Sequence, residues 1–380
     1  MAQANHSSAK TNGASRRRFI QGVGAAAVGT IAAPMITGCS ESHSVPTARR
    51  AVEIPTAGPG SVQGEGEHKY EWVHDWLTIP ESVKLGNCHG VQQDSQGRIF
   101  IHHTGQANTG TPCMLVCDTD GRVMKMWGKE YEGGAHGLQL RKEDGTEYLY
   151  LALTGQHRVV KTTLDGEVVF ELRFPKESGL YKDKEGKDSE ASYIPTNIAF
   201  AANGDFYVAD GYGLSYVHRY NIKGEYQDTF GGKGKEPGKM NCCHGIYMDK
   251  RSGDEKIVVA DRANNRLQYF TLDGKHISFV QGKNDDGIVR LPCHFDVRGT
   301  DMLIPDLRGR ITILDKDNNA AAQLFDNPDP GRREKNGLPM TAWADGQFIC
   351  PHGAIWDSKG DIYVVEWVAP GRVTKLRHVA

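Results

Sequence analysis

The stretch Cys243-His244-Gly245-Ile246 leads through the turn Asp254-Glu255 into Lys256-Ile257-Val258-Val259-Ala260-Asp261, then into Arg266-Leu267-Gln268-Tyr269-Phe270 and the turn Asp273-Gly274. Apolar runs of this length, bounded by turn dipeptides and rich in β-branched and aromatic residues, read as strands of a small sheet. The same plan recurs around it. Gly204-Asp205 leads into Phe206-Tyr207-Val208-Ala209-Asp210, and Gly360-Asp361 leads into Ile362-Tyr363-Val364-Val365-Glu366.

Six segments share the plan, and their starts are the clearest part of it. They read Cys88-His89-Gly90-Val91, Ala135-His136-Gly137-Leu138, Pro195-Thr196-Asn197-Ile198, Cys243-His244-Gly245-Ile246, Cys293-His294-Phe295-Asp296 and Pro351-His352-Gly353-Ala354. Successive starts are about 47, 60, 48, 50 and 58 residues apart, near the length of a propeller blade. The two long intervals hold insertions, a charged one at Pro175 to Tyr193 and a Pro/Gly/Asn-rich one at Phe325 to Gln347. The pattern resembles the NHL repeat. Six copies imply an all-β, six-bladed β-propeller over residues 70–380. A β-sandwich would not account for six similar starts. The last segment has only three strands, so Tyr70 to Thr78 is expected to supply the fourth and close the ring.

Composition agrees with this. The chain has 380 residues, a formal net charge of -2, 45 glycines and 16 prolines. No three-residue glycine period and no long apolar run beyond the N-terminus are present, which excludes a collagen and a polytopic membrane protein. The balanced charge gives no nucleic-acid footprint. No Gly-x-Ser-x-Gly elbow, P-loop or dinucleotide fingerprint appears.

The N-terminus reads as an address. Ser15-Arg16-Arg17-Arg18-Phe19-Ile20-Gln21 has the twin-arginine export pattern, and Ile36-Thr37-Gly38-Cys39 resembles a lipoprotein box. Residues 1–39 are expected to be this signal, with Cys39 lipidated, and residues 40–69 a polar flexible linker. The expectation is a periplasmic or cell-envelope protein, exported by the twin-arginine route and held at the membrane by lipid alone.

In a propeller, equivalent innermost positions form a ring around the axis. His89, His136, His244, His294 and His352 occupy five of the six, and Thr196 the sixth. Imidazole is the commonest metal ligand, and three neutral histidines with an open position make a catalytic zinc-type site. The alternative is that His-Gly is a repeat signature whose rings tie blades together. Cys88, Cys242, Cys243, Cys293 and Cys350 lie one or two residues before ring histidines. They could bind metal, drawing the site towards copper or zinc, or serve as small buried residues. Disulfides are open to an exported chain, but seven cysteines besides Cys39 leave at least one unpaired within it. Cys113 and Cys117 are too far apart along one strand to bridge.

At these sites the chain resembles the peptidyl-α-hydroxyglycine α-amidating lyases, six-bladed propellers that cleave a peptidyl-hydroxyglycine to a peptide amide and glyoxylate. The resemblance implies zinc held by His136, His244 and His352. It also implies a catalytic tyrosine at Tyr212, in Asp210-Gly211-Tyr212, and an active-site arginine at Arg262, in Ala260-Asp261-Arg262. His89 and His294 are additions to the family pattern. A second family arginine has no counterpart in Ile101-His102-His103-Thr104. Gly353 stands where the family has an aspartate linked to calcium, which leaves calcium without support. These 380 residues carry no copper-monooxygenase segment, so a hydroxylated substrate would be made elsewhere. Two functions stay open: a metal-dependent carbon–nitrogen lyase acting on a small molecule or peptide end, and a non-catalytic propeller binding an extracytoplasmic protein or glycan.

Overall fold

A computed structural model describes residues 60–81, 83–281 and 287–379. The signal, most of the linker and Cys39 lie outside these residues. Six antiparallel sheets succeed one another along the chain, forming the six-bladed propeller. The innermost strands are Cys88–Gln93, Ala135–Glu143, Asn197–Phe200, Cys243–Asp249, Asp296–Arg298 and Pro351–Trp356, for blades 1 to 6 in order. No helix among the described residues is long and apolar enough to cross a membrane.

Packing between blades holds the ring. Each main core cluster draws side chains from two neighbouring blades. Leu138, Leu149 and Leu151 of blade 2 meet Phe100, Met114 and Val116 of blade 1. Leu303, Ile311 and Ile313 of blade 5 meet Ala354, Ile362 and Val364 of blade 6. A blade alone would leave both faces of its sheet wet, so neighbouring blades stabilise each other through the hydrophobic effect.

The ring closes by pairing the two ends of the propeller. Tyr70–Val73 lies antiparallel to Arg372–His378, with Trp72 opposite Leu376. The closing strand is shorter than the expected Tyr70 to Thr78. Asp75 takes a left-handed φ of 46°, which ends the strand, and Thr78 bridges to Arg122 of blade 1 instead. Val62–Gln63, in the stretch read as linker, adds a fifth strand outside it. Trp72 is the buried anchor, its ring 5.3 Å from Phe325 and 4.8 Å from Phe348.

A second device repeats around the ring. The residue ending the second strand, or in blade 3 the one just after it, is polar and buried, and it accepts a backbone N–H from the segment that leads into the inner strand. Asp210 takes Ile194 N–H at 2.7 Å, Asp261 takes Asn241 N–H at 2.7 Å, Asp306 takes Arg290 N–H at 2.8 Å and Glu366 takes Ile349 N–H at 2.7 Å. Blade 1 does the same with a neutral ring: His103 Nδ1 accepts from Gly86 N–H at 3.3 Å. Arg266, Arg310 and Arg372 from the third strands neutralise Asp261, Asp306 and Glu366. In blade 3, Tyr181 from the first insertion donates to Asp210 at 2.8 Å and stands 2.6 Å from His218 Nε2. That insertion is therefore part of the core, with Tyr181 and Tyr193 buried. Among the described residues every cysteine is a free thiol.

Closure through Trp72 gives a direct test. Trp72→Ala is expected to destabilise the domain by about 3–5 kcal/mol, read as a lower denaturant midpoint at unchanged slope. A loss below about 1 kcal/mol would show that the terminal strand adds little to the ring.

Candidate metal centre on the propeller axis

The histidines reach the axis because the inner strands slip there. In blades 1, 2, 4 and 6 the register between the first two strands shifts by one residue at the histidine: between Cys88 and Gly90, Ala135 and Leu138, Cys243 and Ile246, and Pro351 and Gly353. A bulge leaves a residue unpaired and re-aims its side chain. Blade 3 pairs regularly from Asn197 opposite Ala209, without such a shift.

His136, His244 and His352 come from alternate blades and form a near-equilateral triangle. Their ring centroids are 4.6, 4.7 and 4.8 Å apart. Each ring is held from behind by the next blade. His136 Nδ1 lies 2.7 Å from Thr196 O, His244 Nδ1 2.8 Å from Cys293 O, and His352 Nδ1 3.0 Å from His89 O. A carbonyl can only accept, so each Nδ1 carries the proton and each Nε2 of the neutral ring keeps a lone pair. The glycine of each His-Gly pair serves the same contact. A Cβ on Gly137, Gly245 or Gly353 would stand 2.4–2.6 Å from the very oxygen its histidine binds. Any larger residue would push the next blade out of reach.

The odd blades behave differently. His89 joins the cluster, 4.5 Å from His352 and 4.8 Å from His136 between centroids, but its Nδ1 points at His352 Nε2, at 3.3 Å. His294 does not join it. Its Nε2 lies 2.9 Å from the Gln139 side chain, away from the triangle. The reason is register. In blades 1, 4 and 6 the residue before the ring histidine pairs with the polar residue ending the second strand: Cys88 with His103, Cys243 with Asp261, Pro351 with Glu366. In blade 5 that partner of Asp306 is Pro292, so Cys293 takes the ring position and His294 falls one place beyond. Ligand atoms of His89, His136 and His352 lie within 4.8 Å of one another, as do those of His244, Cys293 and His352. The donor set, with its lone pairs aimed inward and its rings fixed by carbonyls, fits a zinc- or copper-type ion.

Tyr212 and Arg262 stand at the mouth of this cluster. Tyr212 is 40% exposed as a residue, while its hydroxyl reaches inward, 3.3 Å from His136 Nε2 and 3.1 Å from His244 Nε2. Its loop is fixed by Asp210, which accepts Leu214 N–H at 2.7 Å as well as Ile194 N–H. Gly213 is required here, because a Cβ would lie 2.1 Å from Asp210 Oδ1. Arg262 follows Asp261 in the equivalent loop of blade 4. Its N–H donates to Cys242 O at 3.0 Å, its guanidinium carbon sits 5.1 Å from the Tyr212 ring centre, and Nη1 lies 3.9 Å from Cys293 Sγ.

Burial dominates the electrostatics. It pushes His136 down to about 3, with Arg262 acting in the same direction. His89, His244 and His352 lie well below the ordinary value for the same first reason, reinforced by neighbouring rings and Arg262. All four are therefore neutral at pH 7, as ligands must be. Burial raises the Tyr212 phenol to about 12 against the pull of Arg262.

The sequence counts Cys293 among the thiols that could bind metal but places it one position before the ring, and two further polar residues near the axis carry no signal there. Gln139 forms a polar layer beneath it with His294. His102 is buried beside His89 and the His136 backbone; it lies in Ile101-His102-His103-Thr104.

No family model matches the chain. It is 31% identical to "peptidyl-alpha-hydroxyglycine alpha-amidating lyase 1" of Drosophila melanogaster, over 81% of this chain and 60% of that one. It is 24% identical to "peptidylglycine alpha-amidating monooxygenase" of Rattus norvegicus, over 66% of this chain and 28% of that one. The chain thus spans less than two thirds of the length of the fly relative and under a third of the rat one. Among solved structures, a streptogramin B lyase superposes with a TM-score of 0.53 at 14% identity, covering 83% of this chain and 99% of that one. That likeness establishes the propeller fold.

The buried neutral histidines predict acid sensitivity of the metal-free protein. Their folded pKa values are depressed, so the unfolded chain takes up protons first as pH falls. Their contribution is complete above the ordinary value near 6.5 and is lost as pH falls towards about 3 or 4, the values for His136 and His294. The slope is about 1.4 kcal/mol per pH unit for each such histidine. Urea midpoints should fall clearly from pH 8 to pH 5; equal midpoints would contradict the buried, neutral assignment.

Proposed function

We propose that this propeller is a metal-dependent lyase of the amidating type, cleaving the carbon–nitrogen bond of a peptidyl-α-hydroxyglycine or a similar hydroxylated carboxylic acid. The observation that carries the reading is the Tyr212 hydroxyl set between His136 Nε2 and His244 Nε2 with Arg262 against its ring. The 31% identity to the fly lyase supports it.

His136, His244 and His352 would hold the ion, zinc or copper, through Nε2. A cation there supplies positive charge that lowers the pKa of both the substrate hydroxyl and the nearby phenol. The remaining work falls to the chain. Arg262 binds the substrate carboxylate with its planar fork. With that charge beside it Tyr212 would stand as the phenolate, its own proton lost to solvent, and its oxygen accepts the hydroxyl proton. The electrons of that O–H bond form the new C=O of glyoxylate, and those of the C–N bond leave on the amide nitrogen. Tyr212 returns its proton to that nitrogen, completing the amide. The carbonyls behind the three imidazoles keep the rings aimed throughout.

The reading includes export by the twin-arginine route and lipidation at Cys39, which would place the site in the cell envelope.

Incubation of the zinc-loaded protein with a peptidyl-α-hydroxyglycine should release glyoxylate and peptide amide. Tyr212→Phe should lower kcat by about 100-fold or more, with KM little changed. Arg262→Gln should raise KM most, since it removes the carboxylate partner. Full turnover in a His136→Ala, His244→Ala double variant would overturn the reading. No turnover by the zinc-loaded parent would favour the binding propeller.

A further inference from the structure

We infer that Cys293 is a metal ligand, its Sγ joining Nε2 of His244 and His352 on the ion that the three imidazoles hold, so that this centre is a mixed nitrogen–sulfur one. The inference rests on the metal-binding reading above and goes beyond it.

Three observations carry it. The first is position. Pro292 pairs with Asp306 as Cys243 pairs with Asp261 and Pro351 with Glu366. Cys293 therefore follows the pairing residue just as His244 and His352 do. Asp306 also accepts Arg290 N–H, two residues before Pro292, matching Asp261 with Asn241. The second is proximity. Cys293 Sγ and the ligand nitrogens of His244 and His352 all lie within 4.8 Å of one another, and all three residues are buried. The third is the thiol's surroundings. Besides a long contact to Leu291 O at 3.5 Å, the polar group nearest to Sγ is the Arg262 guanidinium at 3.9 Å, on the same side as Tyr212 and the cluster. Cys88 and Cys243 stand at the paired position and pack into the cores between blades. Cys350 shares an apolar cluster with Cys293, but it precedes the paired residue Pro351 where Cys293 follows Pro292.

On coordination the sulfur lone pair forms the bond to the ion, and the thiol proton leaves to solvent. A thiolate among imidazoles shifts preference towards thiophilic ions such as zinc and copper(I), and away from magnesium or calcium.

The test uses the full chain loaded with zinc. X-ray absorption at the zinc edge should show one sulfur at about 2.3 Å together with nitrogens at about 2.0–2.1 Å. Bound zinc with only a nitrogen and oxygen shell overturns the inference and leaves the three-histidine reading standing. No retained zinc overturns both. Cobalt(II) loading gives an independent readout. A near-ultraviolet thiolate-to-cobalt charge-transfer band should be present in the parent and in Cys350→Ser, and lost in Cys293→Ser. The same band persisting in folded Cys293→Ser overturns the inference.

Discussion

The arrangement on the axis depends on one contact made three times. An imidazole on an even blade donates its Nδ1 proton to a carbonyl of the following odd blade, and the adjacent glycine lets that carbonyl approach. The same oxygen receives the ring from one side and faces the bare Cα from the other. The contact joins neighbouring blades at their innermost point. It also fixes the tautomer, so that each Nε2 keeps a lone pair free of the backbone. The two readings of His-Gly, as blade tie and as metal ligand, thus call on two different nitrogens of one ring and do not exclude each other.

Around that core the propeller positions two loops. Asp210 follows the second strand of blade 3 and Asp261 ends that of blade 4, and each organises the turn that comes after it. Tyr212 and Arg262 sit in those turns, so the carboxylates position the mouth of the site without touching it. Their own charges are balanced within the fold, Asp261 by Arg266 and Asp210 by Tyr181 and backbone N–H groups. Burial does the remaining tuning. It keeps the imidazoles neutral, hence able to bind a cation, and it keeps the phenol protonated until positive charge is brought beside it.

The fold was legible because each blade carries its own signature: a start, a turn dipeptide and an apolar strand. The triangle was legible too, since His136, His244 and His352 are each followed by glycine. The error at blade 5 has the same physical root. Cys293-His294 imitates Cys243-His244, but His294 is followed by Phe295, and without the glycine the next blade cannot approach in the same way. Pro292-Cys293 aligned with Pro351-His352 was the better match. Pairwise register could not be read from spacing alone, because a bulge adds one residue without changing the look of the strand. Nor could the role of Tyr181, which arrives from an insertion and meets Asp210 only in three dimensions.

The central claim is that the three even-blade imidazoles present Nε2 to a common ion while Nδ1 stays on the backbone. Anomalous diffraction at the zinc and copper edges from crystals of the loaded protein tests this most directly. The account predicts a single strong peak on the axis, bonded to Nε2 of His136, His244 and His352, with each Nδ1 still against its carbonyl. A peak bonded through Nδ1, a peak away from the axis, or no peak after loading would contradict it.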